Sequence, residues 1–511
     1  MGPLRDAIGN IISDDRTTAD IFNAYFASVF TVEDINIIPV PEQMFTGEKS
    51  DELSEICLNE DIIYKKLCSI NINKSPGSDD LHPKMLYELR DQLVKPLTKL
   101  FRRSMETSIV PQEWRDARVS PLFKKGKRDK PENYRPVSLT SIVGKLFESI
   151  IKDNVVDHLD KHNLIKSSQH GFTKGRSCLT NLLTFVDSVT KSVDEGNPVD
   201  IVYLDFAKAF DKVPHQRLFN KLKAHGITGP VLNWIKNWLN SRRQRVCIGK
   251  EGSQWRDVTS GVPQGSVLGP VLFLIYINDI DNKILSNIAK FADDTKLCKS
   301  VNNLEDVQAL QKDLDSLHEW SVDWQMSFNV DKCVVMHVGR NNIGNSYMLG
   351  TQELKSSNKE KDLGIIMDSS LKFSEQCRVA VGNANRILGL IKRTIKSRSK
   401  DVILRLYKAL VRPKLEYCVQ AWRPFLKGDV ESLERVQRRA TRMIAECKGQ
   451  SYGARLKTLG LISLDHRRTR GDLIQVFKFI KGLDDVEYNT FFQLTGDTRT
   501  RGHKYKIAKM R

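Results

Sequence analysis

No two cysteines of this 511-residue chain stand in a CxxC arrangement. The nine, at 57, 68, 178, 247, 298, 333, 377, 418 and 447, support neither a zinc ribbon nor a disulfide framework. A reducing compartment fits them best. Long apolar runs are also missing: Val271–Ile277 stops at Asn278 and Asp279, far short of the roughly 20 residues a membrane span needs. The N-terminus carries Arg5, Asp6, Asp14 and Asp15 where a leader would have its apolar core. Secreted and integral-membrane classes are therefore not expected. Internal repeats and low-complexity tracts are absent as well, which argues against a solenoid or a biased disordered segment. What the chain does have is 40% hydrophobic residues, enough for a sizeable core, and a length suited to roughly two to four domains.

Charge is unevenly spread. The net +18 comes from 80 Lys and Arg against 62 Asp and Glu. Residues 371–511 alone carry 32 basic and 13 acidic groups, or +19, so the preceding 370 residues sum to −1. A polyanion is the natural partner for such a segment.

Residues 1–60 read as a mixed lead-in, with Pro39 and Pro41 breaking periodicity. From Asp61 to Phe123 helical patterns dominate, interrupted at Lys74-Ser-Pro-Gly-Ser-Asp-Asp80, where Gly77 after Pro76 suits a type II turn. A basic loop, Lys124-Lys-Gly-Lys-Arg-Asp-Lys130, leads into Asn133-Tyr-Arg-Pro-Val-Ser-Leu139. Val199-Asp-Ile-Val-Tyr-Leu-Asp-Phe206 is rich in β-branched residues and reads as a buried strand, followed by a helix from about His215. Ser260-Gly-Val-Pro-Gln-Gly-Ser-Val-Leu-Gly-Pro270 is a glycine-rich loop opening an apolar helix. Residues 288–298 read as two short strands around a tight turn holding Asp293 and Asp294. After about residue 373 the pattern is helical and basic to about 480, then polar and basic.

Asp205 at a strand end and Asp293-Asp294 in a hairpin turn are the residues to weigh for chemistry. An Asp-Asp turn by itself is usually structural, because Asp is a common turn residue. Three carboxylates meeting at adjacent strand ends instead form a hard oxygen site suited to Mg²⁺. Two such ions can stabilise the attacking and leaving oxygens of an in-line phosphoryl displacement.

Sequence motifs decide between these readings. Leu204-Asp-Phe-Ala-Lys-Ala-Phe-Asp211, Gly261-Val-Pro-Gln-Gly-Ser-Val-Leu-Gly-Pro270 and Phe291-Ala-Asp-Asp294 resemble the three palm motifs of reverse transcriptases, in the order and spacing of the LINE-type (non-LTR) retrotransposon branch, jockey-like elements in particular. Asn133–Leu139 and Gln169-His-Gly-Phe-Thr-Lys-Gly-Arg-Ser177 resemble finger motifs of that branch, and Asp362-Leu-Gly-Ile365 its primer grip. The resemblance spans nearly the whole chain. It implies an α+β right-hand polymerase: helical fingers (61–198), a ferredoxin-like palm (199–370, with part of the fingers between its motifs), a basic helical thumb (371–480) and a tail (481–511).

The activity so implied is RNA-directed DNA polymerisation of a retrotransposon, with dNMP passing from dNTP to a primer 3′-hydroxyl as element RNA is copied. Asp205, Asp293 and Asp294, with the Phe206 carbonyl, would hold two Mg²⁺ ions, Mn²⁺ being the alternative. Phe210 would exclude a 2′-hydroxyl by bulk. Arg135 would fork onto the triphosphate, with Lys124 or Lys125 adding a point charge. Gln264 and Gly265 would pack against the nascent base pair, and Lys332 would protonate the pyrophosphate. Gly364 would mark the primer grip. The Ser75–Asp80 loop, His170, Lys174 and Arg176 would lie near the template. Implied partners are an RNA template, a DNA primer, dNTPs and other element-encoded proteins, with no membrane. The implied location is intracellular, in the nucleus and a cytoplasmic ribonucleoprotein. Two alternatives stand: a catalytically silent relic that only binds nucleic acid, and a related polymerase that makes RNA.

In the basic segment, Asp429 is the expected N-cap of a helix whose apolar stripe is Leu433, Val436, Ala440 and Ile444. Arg435, Arg438, Arg439 and Arg442 fall on an adjoining face at i, i+3, i+4 and i+7 and would meet a phosphate backbone. Glu431 and Glu434 are expected in the first turn, leaving the ridge unneutralised, and Arg467, Arg468 and Arg470 extend it. Jockey-like polyproteins usually carry an endonuclease ahead of the polymerase and continue past the segment resembling 498–503. The expectation is a chain cut at both ends that does not nick its own target.

Overall fold

The computed structural model describes residues 4–5, 11–495 and 505–508; the 498–503 segment lies outside them. Two compact units interleave along the chain. The first comprises Met1–Ser167, Phe206–Ile284 and Ser316–Asn329, the second Ser168–Asp205, Leu285–Asp315 and Val330–Arg511. In chain order the strands that matter are β1 (Asp116–Phe123), β2 (Tyr134–Leu139), β3 (Val199–Leu204), β4 (Arg242–Ile248) and β5 (Asn287–Phe291). They continue with β6 (Asp294–Ser300), β7 (Val334–Val338), β8 (Lys355–Ser356), β9 (Lys359–Asp362) and β10 (Ile365–Asp368). The helices are α1 (Asp15–Ser28), α2 (Ile142–Lys161), α3 (Cys178–Asp194), α4 (His215–Ala224) and α5 (Gly269–Tyr276). In the C-terminal region they are α6 (Ser374–Thr394), α7 (Lys427–Arg442) and α8 (Leu464–Ile480). The architecture is α+β.

In the first unit β1 pairs antiparallel with β2 and parallel with β4. β1 falls within the stretch expected to be helical. Its side chains alternate, with Ala117 and Val119 buried between half-exposed neighbours, and that period of two suits a sheet with one covered face. The cover is α1, capped by the Asp14 carboxylate accepting from the Thr17 amide at 2.8 Å. Phe22 of α1 meets Tyr134 edge-on at 4.8 Å and shares a core with Val119 and Val246. Part of the lead-in thus builds core. Gly77 has no positive φ; it is needed because a Cβ there would lie 2.2 Å from the Thr140 carbonyl oxygen.

Lys221 of α4 is 1% exposed. Its ammonium lies 3.6 Å from the Trp324 ring centre, 4.7 Å from that of Tyr276 and 4.8 Å from that of Trp320. It also donates to Asp279 at 2.6 Å, so a charge that would be costly alone is both paired and ringed by aromatic faces.

The second unit is built on a five-stranded sheet of order β8-β7-β3-β6-β5. β3 lies in its centre, antiparallel to β6 and β7, which explains its nearly unbroken apolar run. Leu182, Phe185 and Val189 of α3 pack with Val199 and Ile201 of β3 in a core that continues through Ala380, Ala384 and Leu388 of α6 to Leu433, Val436 and Ala440 of α7.

α7 starts at Lys427 with Leu426 at its N-cap position and no side-chain cap. Asp429 is therefore inside the first turn and accepts from the Ser374 hydroxyl at 2.6 Å. Glu431 and Glu434 fall one turn later than expected. Among the described residues no helix is long and apolar enough to cross a membrane.

Candidate active site

In the second unit β3 ends at Leu204, which pairs with Thr295 of β6. Asp205 is the residue after Leu204 and Asp294 the one before Thr295, so the two stand at neighbouring ends of antiparallel strands. Asp294 pairs in turn with Phe291 of β5, so the β5–β6 turn has two residues, Ala292 and Asp293. Ala292 takes φ +55°, a position where glycine is the usual choice.

The brace for this turn is Gln169. Its Oε1 accepts from the amides of Ala292 at 2.9 Å and Gly171 at 2.8 Å. The His170 amide donates to the Lys290 carbonyl at 2.9 Å, and the Lys290 amide to that of Ser168 at 2.8 Å. Sequence reasoning saw the Gln169 motif but not this role, because the turn it braces lies 123 residues on.

Asp205 has a cationic neighbour: Lys332 Nζ lies 2.6 Å from its Oδ2. Its backbone amide donates to Cys333 Sγ at 3.4 Å. Carboxylates brought together repel unless a cation joins them, and the cation on Asp205 is this ammonium. Among the described residues no three His, Cys, Asp or Glu side chains are gathered into a metal-holding group. The donors themselves, carboxylate oxygens with the Phe206 carbonyl next in the chain, have the hardness that Mg²⁺ selects.

Other expected residues of this unit have varied settings. Gly364, φ +95°, follows Leu363, φ +44°, in the tight β9–β10 turn, and the Tyr417 hydroxyl donates to the Leu363 carbonyl at 2.9 Å. Beside the turn, Asp362 and Lys296 form a buried ion pair. Lys174 is exposed. His170 is 5% exposed, its Nδ1 is 2.9 Å from the Thr180 hydroxyl, and burial pushes its pKa down to about 4. A neutral, enclosed ring of this kind does not serve as a template contact, so that assignment is corrected. Arg176 donates to Asp485 at 2.9 Å and to the Gln169 carbonyl at 2.8 Å, which ties it to its own unit.

On α7, Arg435, Arg439 and Arg442 are exposed. Arg438 is not available in the same way: it pairs with Glu431 at 2.5 Å and lies over the Tyr452 ring at 5.0 Å. Arg439 donates to Asn385 at 2.9 Å. Arg467 pairs with Glu416, and Arg468 is 2% exposed, so of the expected extension only Arg470 is exposed.

In the first unit Arg135 projects exposed from β2, opposite Leu122 of β1. Lys124 and Lys125 are exposed just past β1, where the Lys124 amide donates to the Asn133 carbonyl at 2.8 Å. Asp80 of the Ser75–Asp80 loop is held bidentately by Arg118 at 2.6 and 2.9 Å. Phe206 stacks on Phe328 at 4.5 Å, and Phe210 on Phe273 of α5 at the same distance.

The Gln264 side chain donates to Asp211 Oδ1 at 2.8 Å. Gly265 takes φ +111°, and a Cβ there would stand 2.6 Å from the Ser138 carbonyl oxygen of β2. Protein backbone alone therefore demands this glycine. Asp211 is half-buried, and desolvation raises its pKa to about 6 against the opposing hydrogen bond from Gln264.

Residues 123–373 match the family described as reverse transcriptase (RNA-dependent DNA polymerase). The chain is similar to the probable RNA-directed DNA polymerase from transposon BS of Drosophila melanogaster, 26% identical over 92% of this chain and 54% of that protein. It is similar also to the probable RNA-directed DNA polymerase from transposon X-element of the same organism, 26% identical over 87% of this chain and 51% of the relative. The RNA-directed DNA polymerase from mobile element jockey, again of Drosophila melanogaster, is 27% identical over 77% of this chain and 44% of its own length. The chain spans about half the length of these curated relatives.

Proposed function

We propose that this chain is an RNA-directed DNA polymerase of a jockey-like non-LTR retrotransposon that copies element RNA, a reading supported by the match of residues 123–373 to the reverse transcriptase family and by the similarity to the mobile element jockey polymerase. The observation that carries the reading is the pairing of Leu204 with Thr295 and of Asp294 with Phe291, which supports a site at the strand ends carrying Asp205, Asp293 and Asp294.

Asp205, Asp293 and Asp294, with the Phe206 carbonyl, are the residues to hold two Mg²⁺ ions, or Mn²⁺ in their place. Bound there, the ions would supply positive charge to the attacking and leaving oxygens. The primer 3′-hydroxyl loses its proton to solvent as its oxygen forms a bond to the α-phosphorus of the dNTP, and the bond to the pyrophosphate oxygen breaks. Lys332, already beside Asp205, supplies a proton to that leaving group. Arg135, with Lys124 or Lys125, grips the triphosphate. Phe210 crowds a 2′-hydroxyl, which favours DNA over RNA as product, and Gln264 and Gly265 face the nascent pair. Gly364 aligns the primer. Lys174 meets the template, and Arg435, Arg439 and Arg442 meet the duplex backbone by charge and shape.

The order β7-β3-β6-β5 is last, first, third, second in chain sequence, which supports a ferredoxin-like palm within 199–370. The same reading assigns fingers to 61–198 and a helical thumb to 371–480. Partners of this reading are an RNA template, a DNA primer, dNTPs and other element-encoded proteins, in the nucleus and a cytoplasmic ribonucleoprotein.

The test is primer extension on an RNA template with dNTPs and Mg²⁺. Template-directed extension is expected. Duplex binding without extension would overturn the reading in favour of a silent relic, and preference for rNTPs would favour an RNA-making polymerase.

A further inference from the structure

The glycine-rich loop of residues 260–265 is sewn to the segment that follows Phe206. The Ser260 hydroxyl donates to the Asp211 carbonyl at 2.8 Å, the Gly261 amide to that of Val213 at 2.8 Å, and the Val262 amide to that of Phe210 at 2.7 Å. His215 Nε2 lies 2.9 Å from the Gly261 carbonyl oxygen. The approach is close enough that a Cβ on Gly261, φ +87°, would fall 2.6 Å from the Phe210 carbonyl oxygen. On its other side the loop receives the Ser138 amide at the Gln264 carbonyl, 2.7 Å.

These bonds fix the loop backbone but leave the Gln264 side chain free to rotate. One contact removes that freedom, the 2.8 Å bond from Gln264 Nε2 to Asp211 Oδ1. A carboxylate only accepts, so it selects the amide orientation with nitrogen inward and leaves Oε1 and the second N–H for another partner.

We propose that Asp211 is a positioning residue for nucleotide selection: it orients the Gln264 amide, and through it the loop surface that receives the incoming dNTP. This rests on the polymerase reading and deepens it. The half-buried carboxylate loses part of its hydration there, and the Gln264 amide offsets part of that loss. Lys208 and Arg135 favour the ionised form, and Arg242 lines the same small cavity with Asp211 and Gln264. Tyr25 also feels Asp211.

The test compares Asp211→Leu, which removes the acceptor at similar volume, with Asp211→Asn, which keeps one. Primer extension gives kcat and KM for each dNTP, and thermal melting monitors folding. Loss of one positioned hydrogen bond is expected to raise KM for dNTP about 10-fold in Asp211→Leu, with kcat changed by less than about 3-fold. Asp211→Asn is expected to restore KM to within about 3-fold of the parent, and to lose any acid limb near pH 6 in kcat/KM. An unchanged KM in a folded Asp211→Leu chain would overturn this inference alone, as would an Asp211→Asn chain equally damaged. Absence of extension by the unsubstituted chain would overturn the polymerase reading and this inference with it.

Discussion

The Lys332 ammonium lies 2.6 Å from the Asp205 carboxylate, although 127 residues separate them. In the proposed polymerase site, a lysine so placed would compete with a divalent cation for the Asp205 oxygens and would stand beside the group that is to be protonated. Lys332→Gln should therefore change two quantities in different ways. The Mg²⁺ concentration for half-maximal extension should fall, and kcat should fall by about 100-fold, the lower range for losing a general acid. A magnesium titration of primer extension reads both, and an unaltered Mg²⁺ midpoint would show that the ammonium does not compete.

Asp293 reaches its place through a two-residue turn braced by Gln169. Asp293→Ala should reduce dNTP incorporation by about 1,000-fold or more, the scale of losing a charge-stabilising group at a reacting centre. Duplex affinity, measured by filter binding, should change little. Gln169→Leu should weaken incorporation as well, because two backbone amides lose their acceptor and the Ala292 turn loses its support.

Phe210 is stacked on Phe273, so removing its ring has two consequences. Phe210→Ala should lower the preference for dNTP over rNTP by about 10- to 100-fold, as expected when a steric block is relieved. It should also cost about 2 kcal/mol of stability through lost aromatic packing. Parallel rNTP and dNTP kinetics with a denaturant melt separate the two effects.

The arginines of α7 should not behave alike. Arg435→Gln or Arg442→Gln should weaken duplex binding for all sequences and lower the slope of log affinity against log salt by about 1 each. Arg438→Gln should show a smaller change in salt slope and a larger loss of stability, because that guanidinium is engaged by Glu431 and Tyr452.

Buried titratable groups set the acid response. His170 and His225 both have pKa values lowered to about 4 by burial, from an ordinary 6.5. The unfolded chain therefore takes up these protons first, and stability contributed by the neutral rings is lost as pH falls from about 6.5 towards 4. Asp211 has the opposite sign: its raised pKa means the folded chain takes up that proton first, so acidification from about 6 to 4 adds stability. Burial lowers His158 and His215 in the same way and raises Asp187 as it does Asp211, so four histidines against two aspartates leave a net loss on acidification, at about 1.4 kcal/mol per pH unit for each fully titrating group. Thermal melts between pH 7 and 4 should show it. Asp211→Asn should steepen the decline below pH 6.

The elements that hold the acidic residues were visible in the chain itself. β3 announced itself by β-branched density, the β5–β6 hairpin by its paired aspartates, and the docked stripe of α7 by helical spacing. What escaped were relations across long separations. Nothing local says that Gln169 braces a turn 123 residues on, that His170 is enclosed, or that Gln264 has Asp211 for its partner. β1 was hidden because helical patterns ran up to it and its alternation spans only eight residues. Asp429 looked like a helix cap because Asp favours that position, but Ser374 of another helix donates to its carboxylate and the N-cap position of α7 lies three residues earlier, at Leu426.

Lys221 has a consequence for how such chains can diverge. Its ammonium and the Asp279 carboxylate neutralise one another inside an aromatic enclosure, so losing either leaves an uncompensated charge out of water. The two positions are expected to change together or not at all. Relatives with an apolar residue in place of Lys221 should lack the acid at 279, and their three surrounding rings should be free to shrink.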